Sequence, residues 1–328
     1  MKNSKIVIAG GSGFIGQAIA KFFGKENHIV ILSRQSINGH RNVLNRRLIK
    51  ASQDYNITYW RWDGEHVEKH WACEIDGADL VINLAGKSVN CRYTAQNKKE
   101  IFDSRINSTN VIGEAVRMAV NPPKLWINAS SATIYRHADD KPQDEYNGEY
   151  QDDFSVQVCK RWEKAFFDQR TPFTRKVALR MAITLGTGGV MIPYFNLLKF
   201  GLGGYQGNGK QMYSWVHVDD VCRTIDWMFN NPDAEGVFNC SSPQPVTNKI
   251  FMSTLRKITQ HTFGLPAFSP ILKIGAALIG TEKELILKSR WVLPKKLLES
   301  GFQFKYADLD AAIKALIQET PRKKYHLF

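Results

Sequence analysis

Lys5-Ile6-Val7-Ile8-Ala9-Gly10-Gly11-Ser12-Gly13-Phe14-Ile15-Gly16 is the stretch that decides the fold. A short β-branched run reads as a buried strand, and the residues from Phe14 to Phe23 carry an amphipathic helical pattern. Between them Gly10, Gly13 and Gly16 follow a GxxGxxG spacing. Glycines at such a turn let the backbone pass close to a pyrophosphate. The helix that follows offers unpaired N–H groups and the positive end of its dipole. Ser12, Phe14 and Ile15 lie among these glycines and share the predicted contact. A tight turn with no ligand is the plainer reading; the position in a first βα unit weighs against it.

Working outward, further strands are expected at His28–Leu32, Thr58–Trp62, Leu80–Leu84, Leu125–Ala129 and Lys176–Arg180, with helical patterns at 95–119 and 156–167. This alternation predicts an α/β fold, a Rossmann-type doubly wound parallel sheet. After about residue 185 glycines cluster at Gly186, Gly188, Gly189, Gly201, Gly203, Gly204, Gly207 and Gly209. We therefore expect residues 1–184 to form the nucleotide-binding domain. Residues 185–328 are expected to form a smaller substrate-side lobe, with segments of the two free to interleave. Helices are expected at 219–229, 249–259 and 306–317, and Arg322-Lys323-Lys324 as a solvated tail.

The second strand ends at Ser33-Arg34, where a site for the unphosphorylated dinucleotide ordinarily carries an acid for the ribose hydroxyls. No acid occurs between Asn27 and Asp54. Arg34 offers a fork for a 2′-phosphate and Ser33 a hydroxyl, so the expected cofactor is NADP(H). Asp63, after the third strand, is placed to meet the adenine amino group; a turn residue before Gly64 is an equal reading. Small residues at Leu84-Ala85-Gly86 let the fourth strand's end pass beside the cofactor.

The net charge is +13: residues 1–50 contribute +8, residues 251–328 contribute +7, and the middle −2. No zinc-finger, RNP or KH pattern accompanies it, so attraction for a phosphorylated ligand is preferred to nucleic-acid binding. Five cysteines with no CxxC pair argue against a disulfide scaffold or a metal site and suit a cytoplasmic home. The longest apolar run near the end, Ile274 to Ile279, is far short of the roughly 20 residues of a membrane span.

The glycine loop, Asn83-Leu84-Ala85-Gly86 and Ser130-Ser131-Ala132-Thr133-Ile134-Tyr135 together resemble the extended short-chain dehydrogenase/reductases, which include nucleotide-sugar epimerases. Four further stretches narrow the likeness to an atypical branch known as epimerase family proteins. They are Lys99–Arg105, Gly201–Gly204 with Gly207, Gly209 and Gln211, Ser214–Asp220, and Val292–Leu298 with Gly301–Phe304. The resemblance runs from Lys5 to about Ile317. It implies an NADP(H)-binding Rossmann fold and puts Ser33, Arg34, Leu84, Ala85, Glu100, Arg105 and Leu185 at the cofactor. Without it, Glu100 and Arg105 would read as surface charges and Leu185 as core.

The ordinary members of that superfamily need Tyr-x-x-x-Lys on a helix. The lysine cation lowers the tyrosine pKa, and the tyrosine moves a proton. Anchored on Glu163, those two positions here hold Ser155 and Cys159, with Lys160 turned about 100° away. Ser131 stands at the helper-serine position and is the one expected catalytic residue. Tyr135, His137, Tyr93 and His217 are stand-in acids or bases; His217 beside Asp219 and Asp220 suggests a relay, although a helix cap is the stronger reading. The expected function is an epimerase-like oxidoreductase with a small-molecule substrate, nucleotide-sugar by analogy of fold. The alternative is a non-catalytic NADPH-binding regulatory or scaffold protein.

Overall fold

A computed structural model describes residues 1–35, 55–267 and 287–327. Eleven strands are named in chain order: β1 Lys5–Ala9, β2 His28–Ser33, β3 Ile57–Arg61, β4 Leu80–Asn83, β5 Leu125–Ser131, β6 Arg175–Met181, β7 Ile183–Leu185, β8 Met212–Tyr213, β9 Trp215–His217, β10 Gly236–Cys240 and β11 Val246–Thr247. The helices are α1 Phe14–Phe23, α2 Lys69–Ala72, α3 Ala95–Met118, α4 Phe154–Phe167, α5 Met191–Lys199, α6 Val218–Asn230, α7 Asn248–Ile258, α8 Lys295–Glu299 and α9 Leu309–Gln318. The apolar run Ile274 to Ile279 lies outside the described residues.

Seven strands form one parallel sheet in the order β10-β6-β5-β4-β1-β2-β3. The side-chain alternation of each strand divides the core between two faces. Ile6, Ile8, Ile29, Ile31, Ile82 and Ile127 pack on one face with Ile19 and Phe23 of α1 and Ile225 of α6. Val7, Val30, Val81 and Trp126 pack on the other with Trp71, Val111, Ile112 and Phe166. Strands buried on both faces read as the unbroken apolar runs seen here, and parallel sheets require that burial. The seventh strand, β10, comes from beyond residue 185 and closes the β6 edge.

A third core cluster unites α5, α7 and α9 through Met191, Phe195, Trp215, Phe251, Leu255, Ile313 and Leu316. Trp215 is fully buried in this core. The terminal helix starts later than its pattern predicts, because Asp308 caps it by accepting the Ala311 N–H. Arg322 and Lys323 are exposed, as expected, but Arg322–Lys324 is a 3-10 turn rather than a free tail. Tyr325 is buried against Phe195, and Lys324 Nζ donates to the Thr187 carbonyl. The charges foretold solvent; the aromatic residue after them decides the packing. Among the described residues no helix is long and apolar enough to cross a membrane.

Candidate functional site

The order of strands reverses between β1 and β4, and a doubly wound sheet holds its ligand in the crevice at that switch point. Here the two loops nearly touch. Gly10 has φ +74°, and a Cβ on it would lie 2.9 Å from the Ala85 nitrogen. Only glycine permits both the conformation and the approach. The Leu84–Gly86 loop is itself shaped from below: buried Asn83 accepts the Ala85 N–H at 3.0 Å and donates to Asn128 at 2.8 Å.

Gly13 precedes α1, and no side chain caps the helix. The N–H groups of its first turn are therefore unpaired within the helix and carry the positive end of its dipole. A Cβ on Gly13 would meet only the Gly10 carbonyl, at 3.4 Å. Gly16 packs against Gly11, where a Cβ would come within 2.5 Å of the Gly11 Cα. Phe14 points the other way. Added Cβ atoms on Gly186, Gly188 and Gly189 would lie 2.5–2.9 Å from its ring, so the loop after β7 wraps it. Leu185, fully buried, holds the base of that loop in the third core.

At the end of β2, Ser33 and Ser12 meet hydroxyl to hydroxyl at 3.1 Å, and Ser33 Oγ accepts the Gln35 N–H. Arg34 is exposed and has no carboxylate partner among the described residues. Asp63 closes a turn: it accepts the N–H groups of Glu65 and His66 and pairs with the His66 ring at 2.7 Å. Desolvation acts to raise the pKa of this exposed carboxyl, and those contacts outweigh it and hold the group down at about 2.

Glu100 and Arg105 take different environments on α3. Glu100 is at the surface, paired with Lys87 and Gln96. Arg105 is partly buried and lies over the Trp162 ring, 5.0 Å from its centroid. It donates to the Lys87 and Ile101 carbonyls. A Cβ on Gly86 would come within 3.2 Å of the guanidinium carbon, so this glycine makes room for it.

Ser131 ends β5. Its Oγ accepts the Thr133 N–H at 3.2 Å and meets Thr133 Oγ1 at 3.1 Å, so the serine caps the 3-10 turn Ala132–Ile134. Ser155 and Cys159 are both buried on α4. Burial pushes the Cys159 thiol up to about 12, so it is neutral. Lys160 is exposed and lies over Tyr150, turned away from the Cys159 side.

The stand-in acids and bases are committed elsewhere. The Tyr135 hydroxyl donates to Asn239 and accepts from Arg180, in a buried position that raises its pKa. His137 accepts the Ser289 N–H at Nδ1 and meets Asp139 through Nε2. Tyr93 packs edge-on against Phe154. His217 is the cap of α6: its Nδ1 accepts the Asp219 N–H, and its ring lies 4.1 Å from Tyr306. Burial pulls its pKa down to about 4. Asp220 accepts the Lys305 and Tyr306 N–H groups and caps nothing.

Two groups escaped the sequence reading. Glu163 and Arg180 form a two-point buried ion pair, at 2.8 and 2.7 Å, behind Ser130. Lys288 and Arg290 reach the Ser131–Thr133 turn from far along the chain. Neither belongs to a local motif, and only the folded topology brings them in.

Among the described residues no cluster of His, Cys, Asp and Glu could hold a metal ion. A family model described as the NAD dependent epimerase/dehydratase family matches residues 6–160, and a domain of unknown function (DUF1731) matches residues 267–316. Epimerase family protein YfhF of Bacillus subtilis (strain 168) is 32% identical over 319 residues, covering 96% of this chain and 98% of that protein. Epimerase family protein SSP1921 of Staphylococcus saprophyticus is 33% identical over 316 residues, covering 95% and 98%. Human epimerase family protein SDR39U1 (isoform 2), solved with NADPH, has a TM-score of 0.80 at 24% identity, covering 96% of this chain and 99% of that one. UDP-N-acetylglucosamine 4-epimerase from Methanobrevibacter ruminantium M1, in complex with UDP-N-acetylmuramic acid, has a TM-score of 0.76 at 17% identity, covering 97% and 98%. These two likenesses concern the fold.

Proposed function

The chain belongs to the epimerase family of NAD-dependent epimerase/dehydratase proteins, and from that premise we propose that it is an NADP(H)-binding, epimerase-like oxidoreductase acting on a small hydroxyl or carbonyl compound of the nucleotide-sugar class. One observation carries the cofactor half of this reading. The uncapped start of α1, the Gly10–Ala85 approach and Arg34, which has no carboxylate partner among the described residues, all follow the ends of β1, β2 and β4 at the strand reversal.

In that crevice the first N–H groups of α1 hold the pyrophosphate. Arg34 and Ser33 hold the adenosine 2′-phosphate, and Asp63 borders the adenine. Leu84, Ala85, Gly86, Glu100 and Arg105 line the path towards the nicotinamide, and Leu185 supports the loop after β7 from the third core. When bound, the nicotinamide ring gives or takes a hydride. Ser131 then orients a substrate hydroxyl or carbonyl, with Thr133 fixing the serine from behind. The substrate class is supported by the neighbouring fold of nucleotide-sugar enzymes.

Calorimetric titration with NADPH and NADH tests the proposal. NADPH is expected to bind at least about tenfold more tightly, roughly 1.4 kcal/mol, and Arg34→Ala to erase the difference. Equal binding of the two nucleotides by the unmodified protein removes the phosphate role of Arg34. Failure to bind either removes the cofactor reading altogether.

A further inference from the structure

Two features of the chain beyond residue 185 have no part in the reading above: the glycine-rich stretch 201–204, and a set of basic residues with no acids among them. The structure puts both on one surface. After α5, residues 201–207 run beside residues 263–267. Leu265 N–H donates to the Gly201 carbonyl, Gly204 N–H to the Leu265 carbonyl and Ala267 N–H to the Tyr205 carbonyl. Glycine sets how close the two segments come. A Cβ on Gly204 would lie 2.4 Å from the Leu265 carbonyl carbon, and one on Gly264 2.8 Å from that of Gly203.

With glycine inside the contact, the large side chains stand outside it. Phe200 is 67% exposed, Leu202 42%, Phe263 63% and Leu265 50%. Gly201 links the two segments here, its Cβ position being 3.9 Å from the Phe263 ring. Single exposed apolar residues are ordinary, but four on two bonded segments make an apolar ridge. Its backbone donors are already used. Phe200, Gly201 and Leu202 give their N–H groups to carbonyls in the last turn of α5, and Gly204 and Leu265 give theirs across the ladder. Such a backbone can enter an apolar layer without the penalty of a bare N–H.

The charge around the ridge has one sign. From residue 187 to 218, and again from 236 to 267, the sequence holds no Asp or Glu, whereas Lys199, Lys210, Lys249, Arg256 and Lys257 fall within these stretches. Lys199 directly precedes Phe200. Arg256 donates to the Gly203 carbonyl, and Lys249 N–H to the carbonyl of Gly209, the residue before Lys210. Lys257 meets Asp310 at 3.7 Å; the other four have no carboxylate partner among the described residues. Protein interfaces are depleted in lysine. Apolar side chains framed by cations instead complement a continuous anionic layer with hydrocarbon beneath it.

We propose that this ridge docks on the surface of an anionic lipid bilayer. Phe200, Leu202, Phe263 and Leu265 dip among the acyl chains, and Lys199, Lys210, Lys249 and Arg256 meet the headgroups. The proposal is independent of the cofactor reading, since none of these residues is among those assigned to the dinucleotide.

Flotation of the full chain with vesicles tests it. Binding is expected to vesicles of phosphatidylglycerol and phosphatidylcholine in equal parts, and should be at least about tenfold weaker to phosphatidylcholine alone. On the mixed vesicles Phe200→Ser/Phe263→Ser should cost at least about tenfold, and Lys210→Ser/Lys249→Ser about tenfold or more. All four side chains are exposed, so these variants should keep the parent's thermal melt. Lys21→Ser/Lys25→Ser, which removes two exposed cations at the end of α1, should leave binding within about twofold. A loss from that pair equal to the loss from Lys210 and Lys249 would mean that net charge alone is read, and would overturn the proposal. So would no binding to the mixed vesicles, or equal binding to both kinds. A dimer in sedimentation equilibrium that Phe200→Ser/Phe263→Ser dissolves would make a second copy the occupant, and overturn it too.

Discussion

Replacing Glu163 by Gln should strain the molecule more than any surface substitution. The carboxylate has 10% of its side chain exposed and its partner Arg180 has 5%. It accepts Nε and Nη2 of Arg180 and the Ser130 hydroxyl, the last at 2.6 Å. Through Tyr135 and Asn239 the same network reaches β10. Gln keeps the shape but leaves a buried guanidinium facing only neutral partners. Breaking one side of such a pair costs about 3–5 kcal/mol. A chain of this length unfolds with roughly 0.7 kcal/mol/K of entropy, so the melting temperature should fall by about 4–7 °C. Urea unfolding followed by circular dichroism reads the cost directly as a shift in midpoint at constant slope. Arg180→Met should cost a similar amount. The double variant should fall short of the sum by at least about 2 kcal/mol. A loss below about 1 kcal/mol for Glu163→Gln, or strict additivity, would refute the claim that the pair ties α4 to the sheet.

His217 supplies a pH test. Its folded pKa of about 4 lies below the ordinary value near 6.5. Between these the unfolded chain holds more protons, so stability should fall by on the order of 2–3 kcal/mol as pH drops from about 6.5 to 4. His217→Asn keeps a cap and should flatten that slope; an unchanged slope in urea titrations across this range removes His217 as its source. Gly186→Ala drives a methyl group to 2.5 Å from the Phe14 ring. It should cost about 1–3 kcal/mol, and less than half as much in a Phe14→Ala background; equal costs in the two backgrounds would show that the ring is not what the loop wraps. Tyr325→Ala should cost about 3 kcal/mol through loss of packing on Phe195, whereas a truly solvated tail would show no change in a thermal melt.

Much of the sheet was legible because its signals are local. The run Lys5–Ala9, the glycines after it and the helix Phe14–Phe23 occupy the residues their patterns predict. The other five expected strands are present, each with ends shifted by two residues or fewer. Where competition is between neighbours, the result was less legible. Either Asp219 or Asp220 was the natural cap of α6, yet His217 takes the position, because Asp220 turns inward to two backbone N–H groups of a distant segment. Long-range partners left no trace at all. Nothing near Lys288 announces Asp153, and nothing near Glu163 announces Arg180. Both pairs join residues whose contact depends on how the strands are ordered, which no local spacing encodes.

The strand order also sets a timetable. Strand β6 is complete once Met181 has been made, but its outer partner β10 begins at Gly236, about 55 residues later. At roughly 5–20 residues per second the ribosome needs about 3–11 s to deliver it. Throughout that interval the nascent sheet presents a row of unpaired N–H and C=O groups along β6 to whatever else is in the cell. The hazard is one of time rather than of stability, and a chaperone that covers edges would find its work here, before β10 has been made.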